Sequence, residues 1–166
     1  MRHRSGDRLV AMIEIFSAGN KTDAADIGSL VEKTVVALSK GIQVVLIDLH
    51  PPGPFDPRGL HNLIWTELGQ DPIDVPSEKP LQVVSYLSDG KVSSFIEPLA
   101  VGDRLPEAPL FLDGGIFVPL PLESSYLRSF EAVPRHLREE VEGGPDRPTF
   151  SRLPIGTPTA GSPGGR

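Results

Sequence analysis

A chain of 166 residues, 39% of them hydrophobic, is long enough to bury one core, and its formal net charge of −6 gives no general attraction to phosphate backbones. It contains no cysteine, which excludes a disulfide framework, a thiolate zinc site and a cysteine nucleophile.

The basic start, Met1 to Arg8, precedes an apolar run from Leu9 to Phe16 and so has the outline of a signal peptide. Glu14 interrupts that run, which is too short to cross a bilayer and is closed by no small-residue cleavage pattern. A cytoplasmic protein without membrane contact is therefore expected. The same run is rich in β-formers and apolar on both parities, which predicts a central strand covered on both faces. Asn20 to Asp23 then forms a polar turn, with Asp23 as an N-cap and Asp26 in the first helical turn. Ile27, Leu30, Val31, Val35 and Leu38 recur at helical spacing, and Lys40 and Gly41 supply a closing cation and a C-cap.

A second apolar run, Ile42 to Leu49, completes a βαβ unit (9–16, 23–39, 42–49) with parallel strands and a right-handed crossover. Pro51-Pro52-Gly53-Pro54 ends it, and residues 50–79 are predicted to be mostly loop, with one short helix near 60–68. Leu81 to Leu87 and Val92 to Glu97 flank Ser88-Asp89-Gly90-Lys91, whose Asp-Gly pair predicts an antiparallel hairpin (81–97) with a type I′ turn at one side of the sheet. An extended piece at 116–120 and a helix at about 123–132, ended by Pro134, follow. The fold class is α/β with a central mixed sheet. Residues 1–142 are expected to form one domain, and the Gly- and Pro-rich stretch 143–166 a disordered tail.

Glu14 is the sharpest candidate, because a carboxylate within an apolar strand is costly to bury unless a metal, a cation or hydrogen-bond donors meet it. Parallel strands would set Asp48 beside it near their carboxyl ends, where α/β sheets hold ligands, although Asp48 also suits the start of a turn. Lys21, just past the first strand, is the better candidate cation. Lys33 lies off the apolar helix face and is expected in solvent.

Gly19-Asn20-Lys21-Thr22-Asp23 reads like the NKxD guanine-recognition element of GTPases, but no phosphate-binding GxxxxGK[ST] loop precedes it. His50 and His61 match no standard zinc spacing and are expected on the surface or in loops, and Ser17 lacks a GxSxG elbow.

Arg8-Leu9-Val10-Ala11-Met12-Ile13-Glu14-Ile15-Phe16-Ser17-Ala18-Gly19-Asn20-Lys21 resembles the VIEVLSPSNK motif of the bacterial domain-of-unknown-function family 4058. Gly41 to Leu49 resembles that family's GVHLVEIDL segment and Asp103 to Leu110 its DRLPTIPIPL segment, so the resemblance covers roughly Arg8 to Arg135. The family is itself similar to Uma-type restriction-endonuclease-like proteins with a PD-(D/E)XK metal site. The resemblance implies Glu14, Asp48 and Lys21 as catalytic residues, with Glu14 and Asp48 holding Mg²⁺.

Three departures stand against it. Leu46 replaces a family Glu, Ala18-Gly19 replaces Ser-Pro, and the stretch that a family member carries before the first motif is missing, so the chain is expected to be truncated or split there. An open sheet edge would invite self-association or an N-terminal partner segment. The expected function is a non-catalytic or inactive nuclease-like module, with a Mg²⁺-dependent phosphodiesterase using Glu14 and Asp48 as the alternative. Nucleic acid as a partner draws no support from the net charge.

Overall fold

The computed structural model describes residues 8–112 and 115–142, apart from the side chains of residues 20 and 142. The predicted tail 143–166 lies outside them. The elements run β1 (Ala11–Phe16), a 3₁₀ turn (Ala18–Thr22), α1 (Ala24–Ser39), β2 (Gln43–Asp48), α2 (Leu60–Glu67), β3 (Leu81–Asp89), β4 (Lys91–Leu99), β5 (Glu107–Phe111), β6 (Phe117–Pro121), α3 (Leu122–Ala132) and α4 (Arg135–Glu142). The described residues fall into two compact units, one ending at Leu127 and the other beginning at Arg128.

In the first unit a mixed sheet has the order β1-β2-β3-β4. β1 and β2 are parallel, as the βαβ reading requires, and β3 and β4 form the predicted antiparallel hairpin; its register sets Asp89 opposite Lys91 around Gly90 (φ 68°), whereas the expected two-residue type I′ turn would set Ser88 opposite Lys91. β5 and β6 form a second antiparallel pair.

α1 follows from its sequence. Asp23 caps it, its Oδ1 accepting from the Ala25 N–H at 2.8 Å, and Gly41 takes the positive φ of 73° that ends it. Its Ile27, Ala37 and Leu38 join Phe16, Val44, Leu46, Val84 and Tyr86 from the sheet and Leu60 and Ile64 from α2 in one core. On the opposite face Val45, Ile47 and Val83 pack with Ala108 and Leu110 of β5 in a second core. Because β2 faces both cores, all six of its residues are buried.

One expectation is corrected. Among the described residues the run 9–16 holds an edge strand, since β2 alone neighbours β1 in their sheet order. Its two parities are both apolar for different reasons. Met12 and Phe16 face the helices, whereas β5 packs over β2 and β3 and leaves Ile13 and Ile15 at 44% and 75% exposure. No helix among the described residues is long and apolar enough to cross a membrane.

Candidate functional site

Two charged clusters lie on the helix-bearing face of the sheet. In a strand, alternate residues share a face, so Met12, Glu14 and Phe16 of β1 point the same way as Val44, Leu46 and Asp48 of β2. Glu14 is level with Leu46, and Asp48 with Phe16. Glu14 and Asp48 are thus on one face of adjacent strands, as the sequence suggests. Their partners are different.

Glu14 pairs with Lys33 of α1 at 2.7 Å, with the glutamate side chain 18% and the lysine side chain 56% exposed. Lys33 was expected in solvent on the helical wheel. It is exposed as expected, and it also reaches back to the strand, because a stem of four methylenes lets an ammonium set beside the apolar face fold over the sheet edge.

Asp48 belongs to the second cluster, which is buried. The 3₁₀ turn after β1 carries Lys21, whose Nζ donates to Asp48 Oδ2 at 2.9 Å, Asp56 Oδ2 at 2.8 Å, the His50 carbonyl at 2.8 Å and the Pro51 carbonyl at 3.2 Å. Lys21 is 8% exposed, Asp48 2% and Asp56 not at all. An ammonium has three protons, so four acceptors saturate it. The remaining oxygens are also engaged: Asp48 Oδ1 accepts from the His50 N–H at 3.3 Å and Asp56 Oδ1 from the Gly53 N–H at 2.6 Å. Burial pushes the Asp48 carboxyl above the usual carboxylate range, and the neighbouring Asp56 charge adds to this, while Lys21 and the His50 N–H pull the other way.

The loop after β2 is shaped for this cluster. Asp56 lies three residues after Gly53, and a Cβ at Gly53 would come within 3.3 Å of Asp56 Oδ1, so only glycine fits without a shift. Gly59, with φ 81°, then turns the chain into α2, and its N–H donates to the Asp56 carbonyl at 2.7 Å.

The sequence reading joined Lys21 and Asp48 but missed Asp56. The available signal was the Gly53-to-Asp56 spacing, which marks a turn and says nothing about a lysine 35 residues earlier.

His61 is corrected too. Instead of a surface residue it is a fully buried member of α2, its Nδ1 2.8 Å from the Tyr86 hydroxyl and its ring stacked obliquely near Trp65. Burial lowers its pKa to about 4, so the ring is neutral. It was misread because α2 is only eight residues long, too short for its buried side to be told from spacing.

Among the described residues no group of three or more histidines and carboxylates is placed to hold a metal ion. Glu14 and Asp48 do not fit the expected Mg²⁺ pair, since each already faces a lysine ammonium, at 2.7 and 2.9 Å. An open groove of about 360 Å³ is lined by Pro52, Pro57, Arg58, Asn62, Ile73 and Pro80 among others, and Glu14, Lys21 and Asp48 are not in its wall. No family model matches the chain, and no curated protein or solved structure matches it.

Proposed function

We propose that this chain is a non-catalytic α/β module of the restriction-endonuclease-like kind, related to the bacterial family 4058 and working in the cytoplasm. Its buried charges fasten the loop after β2 to the sheet. The observation that carries this reading is the saturated Lys21 ammonium, with four oxygen partners at 2.8–3.2 Å in a buried position. A lysine that serves phosphoryl chemistry must be free to meet a phosphate oxygen, and this one would have to leave two carboxylates uncompensated to do so.

The alternative, a Mg²⁺-dependent phosphodiesterase using Glu14 and Asp48, is favoured by one observation, their placement on the same face of adjacent parallel strands. A plasmid-nicking assay with Mg²⁺ and Mn²⁺ decides between the two. The expected result is no nicking by the wild-type chain. Nicking that Glu14→Gln abolishes would establish the alternative.

A further inference from the structure

Buried oxygens gathered around one positive charge form a cation site, whether that charge is a metal ion or the end of a side chain. Here the gathered oxygens are Asp48 Oδ2, Asp56 Oδ2 and the carbonyls of His50 and Pro51, all within 2.8–3.2 Å of Lys21 Nζ. Carboxylates and backbone carbonyls are the donor set that hard cations take. Two carboxylates also face one ammonium, so the cluster has room for more positive charge than it holds.

A second observation comes from β3. Gln82 is level with Asp48 in the antiparallel register and shares its face of the sheet. It is 2% exposed, and its Oε1 finds no donor among the described residues. The amide lies 3.6–3.8 Å from the Cβ position of Gly59, against the turn that carries Asp56. A buried amide oxygen on a residue level with Asp48 and against the turn that follows Asp56 calls for a donor, and a water bound to a cation in the cluster would supply it.

We propose that the Asp48, Asp56, His50 and Pro51 oxygens are a hard-cation site in which Lys21 is a tethered resident cation, and that removing its ammonium leaves a site for Ca²⁺. This rests on the reading of the carboxylates as structural. Calcium suits the cluster better than magnesium. Ca²⁺ accepts six to eight oxygens at about 2.3–2.6 Å in flexible geometry, whereas Mg²⁺ demands an octahedron at about 2.0–2.1 Å, which needs a larger contraction of the loop. The volume vacated by the lysine stem would admit waters to complete the shell.

The test uses the full chain carrying Lys21→Ala, melted with and without millimolar Ca²⁺, with Mg²⁺ and with NaCl at matched ionic strength. Ca²⁺ is expected to raise the melting temperature by roughly 10 °C, the size that mass action gives when ligand is about 100-fold above Kd, and Mg²⁺ by less. The wild-type chain should not respond. Adding Asp56→Asn to Lys21→Ala should abolish the response, and equilibrium dialysis should find one Ca²⁺ per chain in the single variant only.

If Lys21→Ala does not fold unaided, restoration of its far-UV and near-UV circular dichroism by Ca²⁺ but not NaCl is the supporting result. A folded variant indifferent to Ca²⁺, an unfolded one that Ca²⁺ does not restore, or a response that survives Asp56→Asn overturns the inference. Nicking by the wild-type chain would instead overturn the non-catalytic reading, and the two failures are read in separate experiments.

Discussion

Lys21 and Lys33 each face a carboxylate, yet the two pairs differ in what surrounds them. Lys21 and its two aspartates are at most 8% exposed, so removing the ammonium leaves buried negative charge without compensation. Lys21→Met is expected to cost about 3–5 kcal/mol, measured as a lowered urea midpoint at unchanged slope. Glu14→Gln should cost no more than about 1 kcal/mol, because Lys33 is 56% exposed and water screens that pair. Equal losses in the two variants would refute the ranking of the clusters.

His61 sets a pH dependence of its own. In the folded chain its pKa is lowered to about 4, against 6.5 for an ordinary histidine. Between these values the unfolded chain binds a proton that the folded one refuses, so stability rises with pH there. The contribution is fully present above pH 6.5 and is lost as pH falls towards about 4, by at most about 3 kcal/mol. Urea midpoints from neutral pH down to about 4.5 should therefore decline, and His61→Phe should flatten the decline.

At the scale of elements, strand position decides what a side chain is worth. Leu46 of β2 is fully buried, whereas Ile15 of β1 is 75% exposed on a face that β5 does not cover. Leu46→Ala is expected to cost about 2–5 kcal/mol, and Ile15→Ala to stay within about 0.5 kcal/mol, both by chemical denaturation. A large loss at Ile15 would mean that the open face of β1 is covered in solution.

The same contrast explains what could be read from the chain. α1 was legible because its cap, its apolar stripe and its terminal glycine are all local signals, and the β3–β4 hairpin because Asp89-Gly90 lies between two strand-like runs. The edge position of β1 was not legible. Strand order is set by pairings far apart in sequence, and an apolar run reads alike at the centre and at the edge. β5 and β6 were half legible, since the prolines at 109, 119 and 121 disguise them as loop, although a two-strand ribbon tolerates proline on its open sides. In the cluster, the lysine and one aspartate stand beside strand ends where chemistry is sought, while the second aspartate sits in a loop without periodicity.

At the scale of the molecule, both hydrophobic cores, among the described residues, draw on residues between Val10 and Leu122. The cage around Lys21 and the Glu14–Lys33 pair lie in the same span. Every buried contact credited above with holding the sheet therefore precedes the point, after Leu127, at which the second compact unit begins. A chain ending at Ala132, which keeps α3 whole, is expected to melt cooperatively within about 4 °C of the full-length protein, since a shift of that size corresponds to roughly 1 kcal/mol in a domain this small. Circular dichroism at both far-UV and near-UV wavelengths checks this, because near-UV signal from Trp65 and Tyr86 reports the packing of α2 on β3. A drop well beyond that range, or loss of the near-UV signal, would mean that residues after Ala132 contribute to the stability of the sheet.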